Sequence, residues 1–176
     1  MVAHSFTAHM LLHMSVVGIG VPLLAAGVAP WVAGRGWLRW QVALGVSLAD
    51  FAVVWGWHAP MLHHAARSGG VWLALEQASF AVAAMLVWLV AFAAPQGLRQ
   101  QAALVGGMTL FMTSMHMTLL GALIALAPRV LYPHHGHGTL EDQQLGGAVM
   151  LTIGAVVYLG GALLLFARVL RPEVRG

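Results

Sequence analysis

His9 and His13 lie four residues apart in a run without helix breakers, so on a helix they share one face about one turn apart. Two imidazoles at that spacing can hold one metal ion, because a ring nitrogen from each converges on a common point. The competing explanation is that two polar side chains near a membrane end simply reach interfacial water. Met10 and Met14 repeat the spacing on the neighbouring face. Further along, Met108, Met112 and His116 recur at four-residue steps, with Met115 and Met117 beside the histidine. A methionine stripe of this kind is ordinary packing, but a histidine deep in an apolar span is costly unless partnered and marks a functional site by default. Its structural alternative is a neutral imidazole bonded to a backbone carbonyl, Thr113 or Ser114. His58 stands just before Ala59-Pro60, where proline restrains the residues ahead of it and a helix should end. His63 and His64 follow in the connector. Trp55 and Trp57 read as interfacial belt residues. His134, His135 and His137 form a short tract of the type that captures metal, or else a solvated loop. Asp50, two turns ahead of His58, is a charge inside a span that either pairs with a buried histidine or fixes helix packing.

The composition narrows the chemistry. Ten histidines and ten methionines occur in a chain of 176 residues without a single cysteine, which excludes disulfide frameworks and thiolate metal sites. Imidazole suits copper, zinc, iron and nickel, whereas thioether favours Cu(I), so the pair points first to copper in either oxidation state. The eight basic residues are all arginine and too scattered for a nucleic-acid stripe. No Ser-His-Asp set, phosphate loop or facing carboxylate pair suggests an enzyme.

The elements that must position these residues are membrane helices. Only 7% of the residues are charged and 60% are hydrophobic, against roughly 25% charged in soluble domains, so lipid rather than water is the expected solvent. Five segments reach the roughly 20 apolar residues that a span needs: Phe6 to Val32, Trp40 to His58, Val71 to Ala94, Ala102 to Ala127 and Leu145 to Val169. They predict an all-α polytopic transmembrane bundle in one domain over residues 1–176, with possible homo-oligomers. No basic residue precedes the first apolar stretch, so it is read as a retained helix rather than a signal peptide. Arg35, Arg39, Arg99, Arg168, Arg171 and Arg175 fall on one side, and Arg67 and Arg129 on the other. The positive-inside rule then puts the N-terminus outside and the C-terminus in the cytoplasm. That orientation uses no histidine, yet it gathers every histidine except the mid-span His116 toward the outer side. Glu141 and Asp142 open the last helix, where the macrodipole favours acidic residues, and Gly146 and Gly147 permit close helix contact.

Several of these stretches, taken in order, resemble the multi-pass cytochrome c oxidase assembly factors called CtaG. They are His9-Met10-Leu11-Leu12-His13, Trp57-His58-Ala59-Pro60-Met61-Leu62, the run from His116 through Leu120-Gly121-Ala122-Leu123 to Leu131-Tyr132-Pro133, and Glu141-Asp142-Gln143-Gln144-Leu145-Gly146-Gly147. The family usually has tyrosine where this chain has His63, and histidine near the start of the third span where this chain has Gln77. His63 or His64 is then the candidate to compensate. The resemblance implies a multi-pass protein of the bacterial cytoplasmic membrane with its metal site toward the periplasm. It also implies copper delivery to oxidase subunits or to a periplasmic copper protein. The expected site is His9, His13, His58 and His116, with Met10, Met14 or Met117 as soft ligands. Asp50 and Gln77 would orient imidazoles through hydrogen bonds. His134, His135 and His137 would collect the ion. Two other classes stay open: a b-type cytochrome with axial histidines such as His13 and His116, and a copper permease, which needs a polar path through the inner half of the bundle.

Overall fold

The structure is a computed structural model that describes residues 5–67, 69–133 and 139–170. Among the described residues the chain is helical without strands, and four helices are long and apolar enough to cross a membrane. These are α1 (Phe6–Val32), α4 (Val71–Phe92), α5 (Arg99–Ala125) and α6 (Leu140–Val169). A further helix, α2 (Trp40–Trp57), is followed after a break by the short α3 (Pro60–Arg67), bent by 72° from it. The all-α multi-pass bundle expected from hydropathy is therefore observed, with four spans, or the expected five where α2 and α3 together make one broken span.

Two boundaries differ from expectation for local reasons. The stretch after His58 folds as α3 rather than as a loop, because Pro60 supplies a pre-set first helical position and Met-Leu-His-His-Ala-Ala-Arg continues it. Gly69 and Gly70 then turn the chain into α4 with φ of 85° and 62°, a backbone region that side chains with a Cβ rarely adopt. The last span begins at Leu140, capped by Thr139, whose hydroxyl oxygen accepts from the Asp142 amide at 3.1 Å.

Helix α5 packs against α6, α4 and α2, and α1 packs against α6 and α4, so the buried faces of all five long helices meet in one core. Met10, Val87, Leu110, Met117, Met150 and Tyr158 lie within it. The outward faces carry Leu23, Leu24, Leu48, Val82, Leu119 and Leu164, all exposed, as a lipid-facing surface requires. The closest backbone approach is between α5 and α6. A Cβ on Gly147 would lie 2.5 Å from the Ala125 nitrogen, and one on Gly121 would lie 2.7 Å from the Leu151 nitrogen.

Both long outer helices leave α geometry in mid-span: α1 is π-helical over Val16–Gly20 and α6 over Gly154–Leu159. The two π turns touch, and the buried Tyr158 hydroxyl donates to the Val17 carbonyl at 3.0 Å. The start of α1 is held by α6 as well. Asp142 accepts from the Ser5 hydroxyl at 2.7 Å, the Phe6 amide at 2.6 Å and the Thr7 amide at 3.2 Å. Asp142 thus satisfies the open amides of a different helix, beyond the stabilisation of its own helix dipole expected from sequence. Charge-assisted bonds contribute about 1.5–3 kcal/mol each, so Asp142→Ala should destabilise the bundle by about 2 kcal/mol overall. Detergent-denaturation curves followed by tryptophan fluorescence measure this. A shift below about 0.5 kcal/mol would mean that the cap carries no net stability.

Candidate metal centre

Helix α1 presents His9 and His13 to α4, which carries Glu76 and Gln77 one turn inside its start. The His9 and His13 Nε2 atoms are 2.9 Å apart, and they lie 3.4 Å and 3.5 Å from one oxygen, Oε1 of Glu76. All three residues are buried, Glu76 to 1% exposure. Helix α3 brings in His63, and ligand atoms of His9, His63 and Glu76 lie within 4.8 Å of one another. The second Glu76 oxygen, Oε2, is buried without a hydrogen-bond partner.

Three lone-pair atoms this close need a proton or a cation between them. The Gln77 amide nitrogen donates to His13 Nδ1 at 2.9 Å, which leaves the His13 proton on Nε2, pointing at His9 and Glu76. Turning the Gln77 amide over would reverse that assignment. His13 Nδ1–H would then donate to the amide oxygen, and Nε2 would offer a lone pair to a metal. The triangle leaves a point about 2 Å from each of its three corners, the length of a metal–imidazole or metal–carboxylate bond. The donor set therefore fits a divalent copper or zinc ion.

His58 caps α2 beside this group, its ring centroid 6.4 Å from that of His13. Its Nδ1–H donates to the Val54 carbonyl at 2.6 Å, so Nε2 carries the lone pair, and that atom is buried with no partner. The Tyr132 hydroxyl secures the same turn by donating to the His58 carbonyl at 2.8 Å. Burial pushes the Tyr132 phenol up to about 12, so it remains a neutral donor.

Other expected ligands are placed elsewhere. His116 is not brought to the His9 group: its Nε2 is 3.0 Å from Asp50 Oδ2, and the Thr113 hydroxyl donates to the same oxygen at 3.0 Å. The expected pairing of Asp50 with a buried histidine is thus present, but in a separate polar cluster. Met10 turns to the adjacent face of α1, where it packs against Gly146 of α6. Met14 and Met117 line a small cavity beneath His13 and His58. His64 is exposed on α3, on the wall of an outer cleft. Trp57 is more than an interfacial anchor, since its indole donates to Ser79 of α4 at 2.7 Å. His134, His135 and His137 lie outside the described residues.

That outer cleft measures about 400 Å³ and is lined by Phe6, Met61, His63, Arg67, Tyr132 and Asp142 among others. His63 belongs both to the cleft and to the buried cluster, so it links the protein surface to the cluster. To three residues the sequence reading gave no role of their own. Glu76 is a corner of the triangle. Gln143, fully buried, accepts from the Leu131 amide at 2.5 Å and donates to the Arg129 carbonyl at 3.3 Å, closing the α5–α6 connection. Tyr132, noted only within a motif, holds the turn at His58.

The chain matches no curated protein and no solved structure. Over residues 1–172 it matches the family described as cytochrome c oxidase caa3 assembly factor, Caa3_CtaG. With a match that runs through every span and through the His9, His63 and Glu76 cluster, the chain belongs to the cytochrome c oxidase caa3 assembly factor family.

Proposed function

We propose that the protein binds a copper ion at His9, His13, His63 and Glu76 and passes it to a cytochrome c oxidase during assembly. The observation that carries this reading is the convergence of His9 Nε2, His13 Nε2 and Glu76 Oε1 on one buried point. Nitrogen and oxygen donors of this kind suit a divalent ion. Gln77 orients His13, and His63 is the ligand nearest the outer cleft, through which cargo enters and leaves. The proposed orientation sets the cluster toward the periplasm. In its favour, Arg35, Arg39 and Arg99 lie in the connectors at the other ends of the spans that carry His9 and Glu76.

The alternatives find less support. A haem held between His13 and His116 would need room for a macrocycle, and the cavity beside His13 has a volume of about 10 Å³. A permease needs polar groups along the inner half. The buried residues beyond Asp50 and His116 are mostly apolar, Val87, Trp88, Leu110, Ala162 and Leu165 among them, and the buried Thr109 hydroxyl is taken up by the Val105 carbonyl at 2.9 Å.

The test uses purified full-length protein and cells lacking it. Wild-type protein should retain about one divalent copper per chain after desalting, and His9→Ala/His13→Ala should retain none by mass spectrometry. Cells lacking the protein should hold copper-deficient oxidase, restored by wild-type protein and not by the double variant. Full copper occupancy in the double variant would remove the site, and a copper-replete oxidase without the protein would remove the role.

A further inference from the structure

Beneath the metal cluster is a second group of donor atoms with different chemistry. A small cavity of about 10 Å³ lies between α1, α2, α4, α5 and α6, walled by His13, Met14, Asp50, His58, Met117 and Tyr158 among others. That volume is about one water-sized sphere, enough for a single ion without its hydration shell. His58 Nε2 is a lone pair held in place by the Nδ1–H bond to Val54, and it has no partner in a site where an unpaired buried polar atom costs free energy. Met14 and Met117, each 3% exposed, line the same cavity. Asp50 supplies a carboxylate whose Oδ2 is fixed on its far side by Thr113 and His116.

We propose that this cavity is a separate binding site for a monovalent soft cation, Cu(I), with His58 Nε2, Met14 and Met117 as ligands and Asp50 as the compensating charge. The two sites divide by hardness. The upper one offers imidazole and carboxylate, and the lower one offers the His58 imidazole and methionine thioethers, Met150 being a third methionine on its wall beside Met14 and Met117, the donor type that selects Cu(I). His13 borders both, so an ion entering from the cleft meets the upper cluster first and the cavity second. No redox step is implied: each site takes the ion in the state in which it is supplied. The proposal rests on the reading of the protein as a copper binder, but its test separates the two.

The experiment compares wild-type protein with Met14→Leu/Met117→Leu, a nearly volume-conserving change that cores tolerate well. Each is loaded anaerobically with Cu(I) from a chromophoric chelator and, separately, with Cu(II). Wild-type protein should show sulfur scattering in the copper X-ray absorption spectrum of the Cu(I) form. The double variant should lose that scattering and bind Cu(I) about 100-fold more weakly, while its Cu(II) electron-resonance spectrum stays unchanged. Unchanged Cu(I) affinity in the folded variant, or sulfur scattering that persists in it, overturns the lower site. If the double variant does not fold, Met117→Leu alone is read the same way, with a partial loss expected. Wild-type protein that binds Cu(II) but shows no Cu(I)–sulfur scattering overturns the lower site and leaves the upper one standing. Cu(I)–sulfur scattering without Cu(II) binding does the reverse, and binding of neither ion overturns both.

Discussion

Glu76→Gln should weaken divalent copper binding by about 100-fold or more while leaving the helical bundle assembled. Loss of groups that merely orient a ligand costs about 10–100-fold in metal affinity, and in the proposed site Glu76 is a ligand itself. The amide keeps the shape of the side chain and one acceptor oxygen for the atom that both imidazoles face, so His9 and His13 remain partnered in the metal-free protein. What disappears is the single negative charge within 3.5 Å of both imidazoles, in surroundings where the charge of a divalent ion has little else to balance it. Competition titration against a chromophoric chelator measures the loss. Affinity within threefold of wild type, in a variant whose circular dichroism is unchanged, would remove Glu76 from the ligand set.

The largest effect on stability should come from Gly147→Ala. Its Cβ would meet the Ala125 nitrogen at 2.5 Å and the Gly121 carbonyl oxygen at 2.9 Å, and neither is the end of a flexible side chain. Relief therefore requires α5 and α6 to separate along their tightest seam. Overpacking costs about 1–3 kcal/mol where side chains can yield, so a backbone clash should reach about 3 kcal/mol. The separation would also reach the site, since Gln143 and Asp142, which hold the α5–α6 connection and the start of α1, lie one turn earlier on the same helix. Gly45→Ala is the matched control. It sits inside α2 with nothing within 4 Å of the added methyl, so the better helix former should cause no loss. Unfolding by denaturing detergent, followed by tryptophan fluorescence, separates the two. Equal stabilities would mean that the seam yields without cost.

Much of this was readable in the sequence, and the missing parts share a cause. Apolar segments of span length are a local property, so the five long helices could be placed to within a few residues, apart from the polar first turn of α6. The four-residue spacing of His9 and His13 is equally local. Glu76 was overlooked because an acidic residue near a helix start already has a sufficient explanation in the dipole. A sharper signal was present: Glu76, Phe80, Ala83 and Val87 follow helical spacing and all are buried, so the carboxylate faces the interior of the bundle. The depth of His116 was legible, but not which helix would meet it. Asp50 was one partner among several until α2 and α5 were packed together. Met10 shows the same limit: the sequence puts it beside His9, and only the position of α6 decides that it fills space against Gly146.

The paired π turns have a consequence for how a binding face can be re-aimed. A π turn holds one residue more than a straight α-helix needs, and each helical residue accounts for about 100° of rotation. Deleting one residue between Val16 and Gly20 would let α1 close as a regular helix, with its inner half still seated against α4. The N-terminal half would keep its azimuth, because the deleted residue is the one the wide turn absorbs, whereas closing the turn without the deletion would rotate it by about 100° and carry His9 and His13 away from Glu76. The azimuth of the histidines thus depends on this turn staying π-helical, independently of the packing that anchors the same helix in the bilayer.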